Sequence, residues 1–99
     1  MYENIDIEHL NLSKKELEDL KAFKFALVAS KYKGSRRASF LEMYDHLQRE
    51  LKEFNKALAE RPIHEAKSEL ADISNLIDLM YDYFRRTEQV GEELLRSKR

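Results

Sequence analysis

Two pairs of acids are the residues of this chain best suited to chemistry. Glu50 and Glu53 stand three apart, as do Glu69 and Asp72, with residues 54–68 between the pairs. Residues three apart share a helix face, so each pair can turn both carboxylates toward one point. Carboxylates are hard oxygen donors, and four of them in one place suit Mg²⁺, with Mn²⁺ as an alternative, rather than zinc. Glu53 has Arg49 and Lys56 nearby, but Glu50, Glu69 and Asp72 have no Lys or Arg three or four positions away. Like charges so weakly compensated cost stability unless a cation binds among them. A solvated acidic face is the plainer alternative.

The elements that must position these acids read as three helices. Residues 1–12 carry apolar positions without a clean period and form a lead-in segment. Ser13 and Glu16 make a capping box that opens helix one over 13–33, with Leu17, Leu20, Phe23 and Leu27 on one face and Gly34 as its stop. A second capping box, Ser39 to Glu42, opens helix two over 39–61, and Pro62 suits the first turn of helix three over 62–86. Residues 87–99 form a tail with a short helix after Gly91.

In helix two, Phe40, Tyr44, Leu47, Leu51, Phe54 and Leu58 recur in alternating steps of four and three. Ile63, Ala66, Leu70, Ile73, Ile77, Met80 and Phe84 do the same in helix three. Both are heptad seams, and the short link at Arg61 folds them into an antiparallel hairpin. With the seams at positions a and d, Glu50 and Glu69 fall at g and Glu53 and Asp72 at c. Antiparallel packing turns the two g flanks toward each other. With Leu58 opposite Ile63, Glu50 comes within a residue of the level of Asp72, and Glu53 of Glu69. The four acids are thus expected to converge.

The rest of the composition agrees with a single all-α domain. The 99 residues are 37% charged and 42% hydrophobic, with 2 Gly and 1 Pro, too few turn formers for a β-sandwich or barrel. The absence of Cys excludes disulfides, thiolate zinc sites and thiol nucleophiles. The longest apolar run, Phe25 to Ala29, is far too short for a membrane span, and the N-terminus is acidic where a signal peptide would be basic. A soluble, cytoplasmic protein is the expectation. The net charge of −1 argues against a general nucleic-acid binder.

Glu50-x-x-Glu53 followed by Glu69-x-x-Asp72 resembles the signature of the MazG-like, all-α nucleoside triphosphate pyrophosphohydrolases. The stretches His46 to Phe54 and Glu69 to Leu76 look like that family's two metal helices, including an Asn, Asn75, three positions after the Asp. Tyr32-Lys33-Gly34 resembles the turn that precedes them. The likeness covers roughly residues 20–84. Arg49 stands where the signature often has a further Glu, and Arg36 and Arg37 where some members carry a Trp, so the base is not assigned. The resemblance implies Mg²⁺-dependent hydrolysis of an NTP or dNTP to the monophosphate and pyrophosphate. Glu50, Glu53, Glu69 and Asp72 would be the metal ligands, one of them orienting the attacking water.

Other residues are candidates for substrate. Lys31, Lys33, Arg36 and Arg37 cluster around Gly34, where Lys33 or Arg36 can meet phosphate; a solvated loop whose cations complement the helix dipole is the alternative. Asn75 lies one turn beyond Asp72, where its amide can meet substrate, and His46 one turn before Glu50 on the same flank, placed to touch substrate or a carboxylate behind the metal ligands. His64 lacks the second His of a zinc-protease helix, and neither acid pair includes the His of a di-iron site. Leu76, Leu79 and Tyr83 continue the acid flank as an apolar stripe, widened by Tyr81. It is expected to be covered in a homodimer whose two hairpins complete a four-helix bundle, as the resemblance also implies, or else by helix one. The competing readings are a non-catalytic helical interaction protein and a small nucleic-acid-associated protein using Lys31 to Arg37 and the basic tail.

Overall fold

The computed structural model describes residues 5–32 and 39–97, with side chains described for 5–29 and 39–87. Those residues form three helices and no strand: α1 Ile7–Tyr32, α2 Phe40–Glu60 and α3 Ile63–Ser97. The expected hairpin is present. Helix α2 starts at Ser39, whose hydroxyl accepts the Glu42 backbone N–H at 3.1 Å, and ends at Arg61, whose N–H returns to the Ala57 carbonyl at 3.1 Å. Pro62, which has no N–H to lose, stands directly before α3. The Arg61 guanidinium lies 3.5 Å from Glu53 and 3.6 Å from Glu65, tying the link to both helices. At the open end Phe40 meets Phe84 and Tyr83, with ring centroids 4.9 and 5.8 Å apart.

Two helix boundaries differ from the expectation. Helix α1 begins at Ile7, not Ser13, so much of the supposed lead-in is helical. Asp6 caps it: its carboxylate accepts the His9 N–H at 3.1 Å, and the Ser13 box lies inside the helix. Asp is as good a cap as Ser, and the earlier one gains two further turns. Helix α3 does not stop near Arg86 but runs through Gly91 to Ser97. A mid-helix Gly costs only about 1 kcal/mol against Ala, and good helix formers flank it on both sides. The Gly34 stop lies outside the described residues.

The packing also departs from simple seams. Helices α1 and α2 both lie against α3, and among the described residues α1 does not pack on α2. Position d of the hairpin is inside: Ala66 and Ile73 are buried, as are Met43 and Ala57 at g of α2. Position a is not. Tyr44, Leu51 and Leu58 on α2 and Ile63, Leu70, Ile77 and Phe84 on α3 are all exposed. On α1, Leu17, Leu20 and Val28 face inward with Lys21 and Lys24, whereas Phe23 and Leu27, expected on the packed face, are each 63% exposed. The lysines win those inward positions because α3 offers them carboxylates. Helix α1 runs beside the expected dimer stripe: Leu76 is buried, Leu79 is half-buried along an open cleft between α1 and α3, and Asn75 donates to the Lys21 carbonyl at 3.0 Å. Tyr83 packs on Phe40.

Candidate metal centre

The hairpin brings three of the four acids together. One carboxylate oxygen each from Glu50, Glu69 and Asp72 lies within 4.8 Å of the others, and all three residues are half-buried. This follows from the heptad geometry: g of α2 faces g of α3, and Asp72 follows Glu69 on the same flank. Glu53 is not in this group, because its carboxylate leans toward Arg61. That pair is long and partly exposed, so it holds Glu53 only weakly.

Glu69 sits at the electrostatic centre. Its Oε2 is buried with no hydrogen-bond partner among the described residues. Burial, then the hydrogen bond and charge of Glu50, then the charge of Asp72, push its pKa from 4.5 up to about 7, with Lys24 acting in the opposite sense. Near neutral pH Glu69 is therefore close to half-protonated. A divalent cation would replace that proton and satisfy the orphan oxygen. The donor set, all carboxylate oxygen, fits a hard ion.

Partial compensation comes from another helix as well as from the same one. Lys24 of α1 donates to Asp72 Oδ2 at 2.7 Å, to Ser68 Oγ at 2.6 Å and to the Ser68 carbonyl at 3.1 Å. His46 Nε2 lies 3.1 Å from Glu50 Oε1, so it meets one of the expected metal ligands directly. Asp72 thus has a cationic partner, though not on its own helix, while Glu69 has none as close. One turn before Lys24, the nearly buried Lys21 pairs with Asp78 at 2.9 Å and Glu18 at 3.2 Å, and the Asp78 hydrogen bond chiefly raises its pKa. The legible signal was Lys21-x-x-Lys24 set into the apolar face of Leu17, Leu20 and Val28.

The remaining candidates divide. Asn75 is engaged with the α1 backbone rather than turned to the acids. Lys33, Arg36 and Arg37 lie outside the described residues, as does the side chain of Lys31. An open cleft of about 370 Å³ between α1 and α3 is lined by Lys21, Phe25, Asp78 and Asp82 among others, but not by the acid trio. Its charges are already paired, Asp78 with Lys21 and Asp82 with Arg86 at 2.8 Å. None of the helices, over their described residues, is long and apolar enough to cross a membrane. Comparison with protein families, with curated proteins and with solved structures finds no match.

Proposed function

We propose that this protein is a Mg²⁺-dependent nucleoside triphosphate pyrophosphohydrolase, as the MazG-like signature implies. The observation that carries the reading is the trio Glu50, Glu69 and Asp72 with the buried, unpartnered oxygen of Glu69 among them. These three would hold the ion, and Glu53 would join them on leaving Arg61. A bound Mg²⁺ would supply charge neutralisation at the phosphates and a lowered pKa for an attacking water. The chain's own residues do the rest. The hairpin fixes the carboxylates, His46 orients Glu50, and Lys24 holds Asp72 from the opposite helix. Lys33 and Arg36 remain the candidates for phosphate. Mn²⁺ is the natural substitute ion, and a cytoplasmic setting goes with a nucleotide substrate.

The test is a panel of canonical and modified nucleoside triphosphates with Mg²⁺, scored for pyrophosphate release. Release from at least one, abolished by Glu69→Gln, is expected. No release from any member would demote the reading to an empty likeness of motif. The non-catalytic alternative, a helical interaction protein, is favoured by one observation, the apolar stripe of the hairpin.

A further inference from the structure

We infer that Lys24 is the second cation of the acid site: its ammonium stays beside Asp72 and limits the trio to a single divalent ion. The inference rests on the metal reading proposed above and concerns what α1 adds to a site built by the hairpin.

Lys24 is held the way a bound cation is held, by oxygens. Its ammonium has three N–H groups, and each finds one: Asp72 Oδ2 at 2.7 Å, Ser68 Oγ at 2.6 Å and the Ser68 carbonyl at 3.1 Å. Two of those oxygens belong to Ser68 and carry no formal charge, so a metal at Asp72 does not compete for them. Asp72 can serve both cations, since a carboxylate that gives one oxygen to the lysine has another for an ion. The Lys24 side chain is 19% exposed and that of Asp72 35%, so water screens the pair only in part. Lys21, one turn earlier on α1, makes the contrast. Its partners Glu18 and Asp78 are 69% and 65% exposed, and neither belongs to the trio.

Charge then sets the number of ions. Fully ionised, the trio carries three negative charges; Lys24 cancels one, and a single divalent ion balances the rest. Glu53, the fourth acid, already has Arg61 at 3.5 Å. A second divalent ion beside Lys24 would leave these half-buried groups with as much excess positive charge as they have negative charge when empty, and uncompensated charge away from water is costly. Space points the same way. Paired catalytic ions stand about 3.5–4 Å apart, and the flank of the trio toward α1 is occupied by the lysine. At the other end His46 stands against Glu50. Mg²⁺ commonly binds through one or two carboxylates and keeps several waters, so the trio suffices for one. Any second ion of the reaction would have to come in on the triphosphate, balanced by the phosphates rather than by the protein.

Calorimetry with Mn²⁺ at pH 8, without nucleotide, should count one ion per chain for the wild type and two for Lys24→Met. Two ions so close couple their electron spins, so the saturated variant should show a coupled Mn²⁺ resonance that the wild type lacks. Two coupled ions in the wild type overturn the inference, and so does a Lys24→Met protein that still takes one. Nitrogen-15 NMR of the lysine ammonium groups reads the wild type directly. The Lys24 signal should persist when Mg²⁺ saturates the site; its loss would show that the ion displaces the lysine, and would overturn the inference. That measurement decides the matter if Lys24→Met does not fold. A wild type that binds no Mn²⁺ is a separate failure, because it removes the metal reading and this inference with it.

Discussion

Replacing Glu69 by Gln removes one ionisation while keeping the shape of the side chain, and the consequence can be worked from the structure. The carboxyl titrates near 4.5 when unfolded and at about 7 when folded, chiefly because it is buried beside Glu50. The folded pKa is raised, so this group's contribution is most favourable below pH 4.5. It is lost progressively as pH climbs to about 7. At about 1.4 kcal/mol per pH unit that loss is on the order of 3 kcal/mol, and screening through the open side of the site trims it to about 2 kcal/mol. Glu69→Gln should therefore be more stable than wild type at pH 8 without metal, by about 2 kcal/mol, or roughly 8–16 °C in Tm for a domain of this size. Near pH 4.5 the two proteins should melt together. Adding Mg²⁺ or Mn²⁺ should raise the Tm of wild type, because the cation relieves the same repulsion, and should leave the variant nearly unmoved. Thermal melts at pH 4.5, 6 and 8, each with and without metal, measure all of this. A variant that is less stable at pH 8 and keeps the full metal shift would refute the electrostatic account of the site.

Lys24→Met should lower stability in the absence of metal by about 2 kcal/mol, since it leaves Asp72 without its ammonium partner, and calorimetry should show tighter Mn²⁺ binding once that competing charge is gone. Ser39→Ala removes the acceptor for the Glu42 N–H and should cost about 1 kcal/mol in urea unfolding. Gly91→Ala should gain about 0.5–1 kcal/mol and some far-ultraviolet helical signal, because α3 is continuous there. A loss on that substitution would mean that the chain needs glycine at this position.

The hairpin was legible because its signals are local and redundant: the Ser39 cap, the Pro62 break and two heptad seams agree with one another. The convergence of Glu50, Glu69 and Asp72 was legible for the same reason, since helix periodicity and antiparallel pairing fix which flanks meet. Helix α1 was harder. Its apolar residues are spread around the helix, so no single face announces itself, and Asp6 and Ser13 compete as caps on nearly equal terms. Phe23 and Leu27 looked like core by type but stand exposed, while Lys21 and Lys24 go inward. Hydrophobicity ranks residues by their cost in water, and it cannot register a carboxylate waiting on another helix.

Three helices, a folded-back pair and an acid constellation can be read from the chain alone, because each rests on interactions within a few turns or on one short link. That Lys24 answers Asp72 across 48 residues, that Glu53 leans to Arg61 instead, and which side of the hairpin is left open emerge once the helices pack. The first and last of these turn on where α1 lies. Its position is set by long-range pairings of charge and packing that no periodicity encodes.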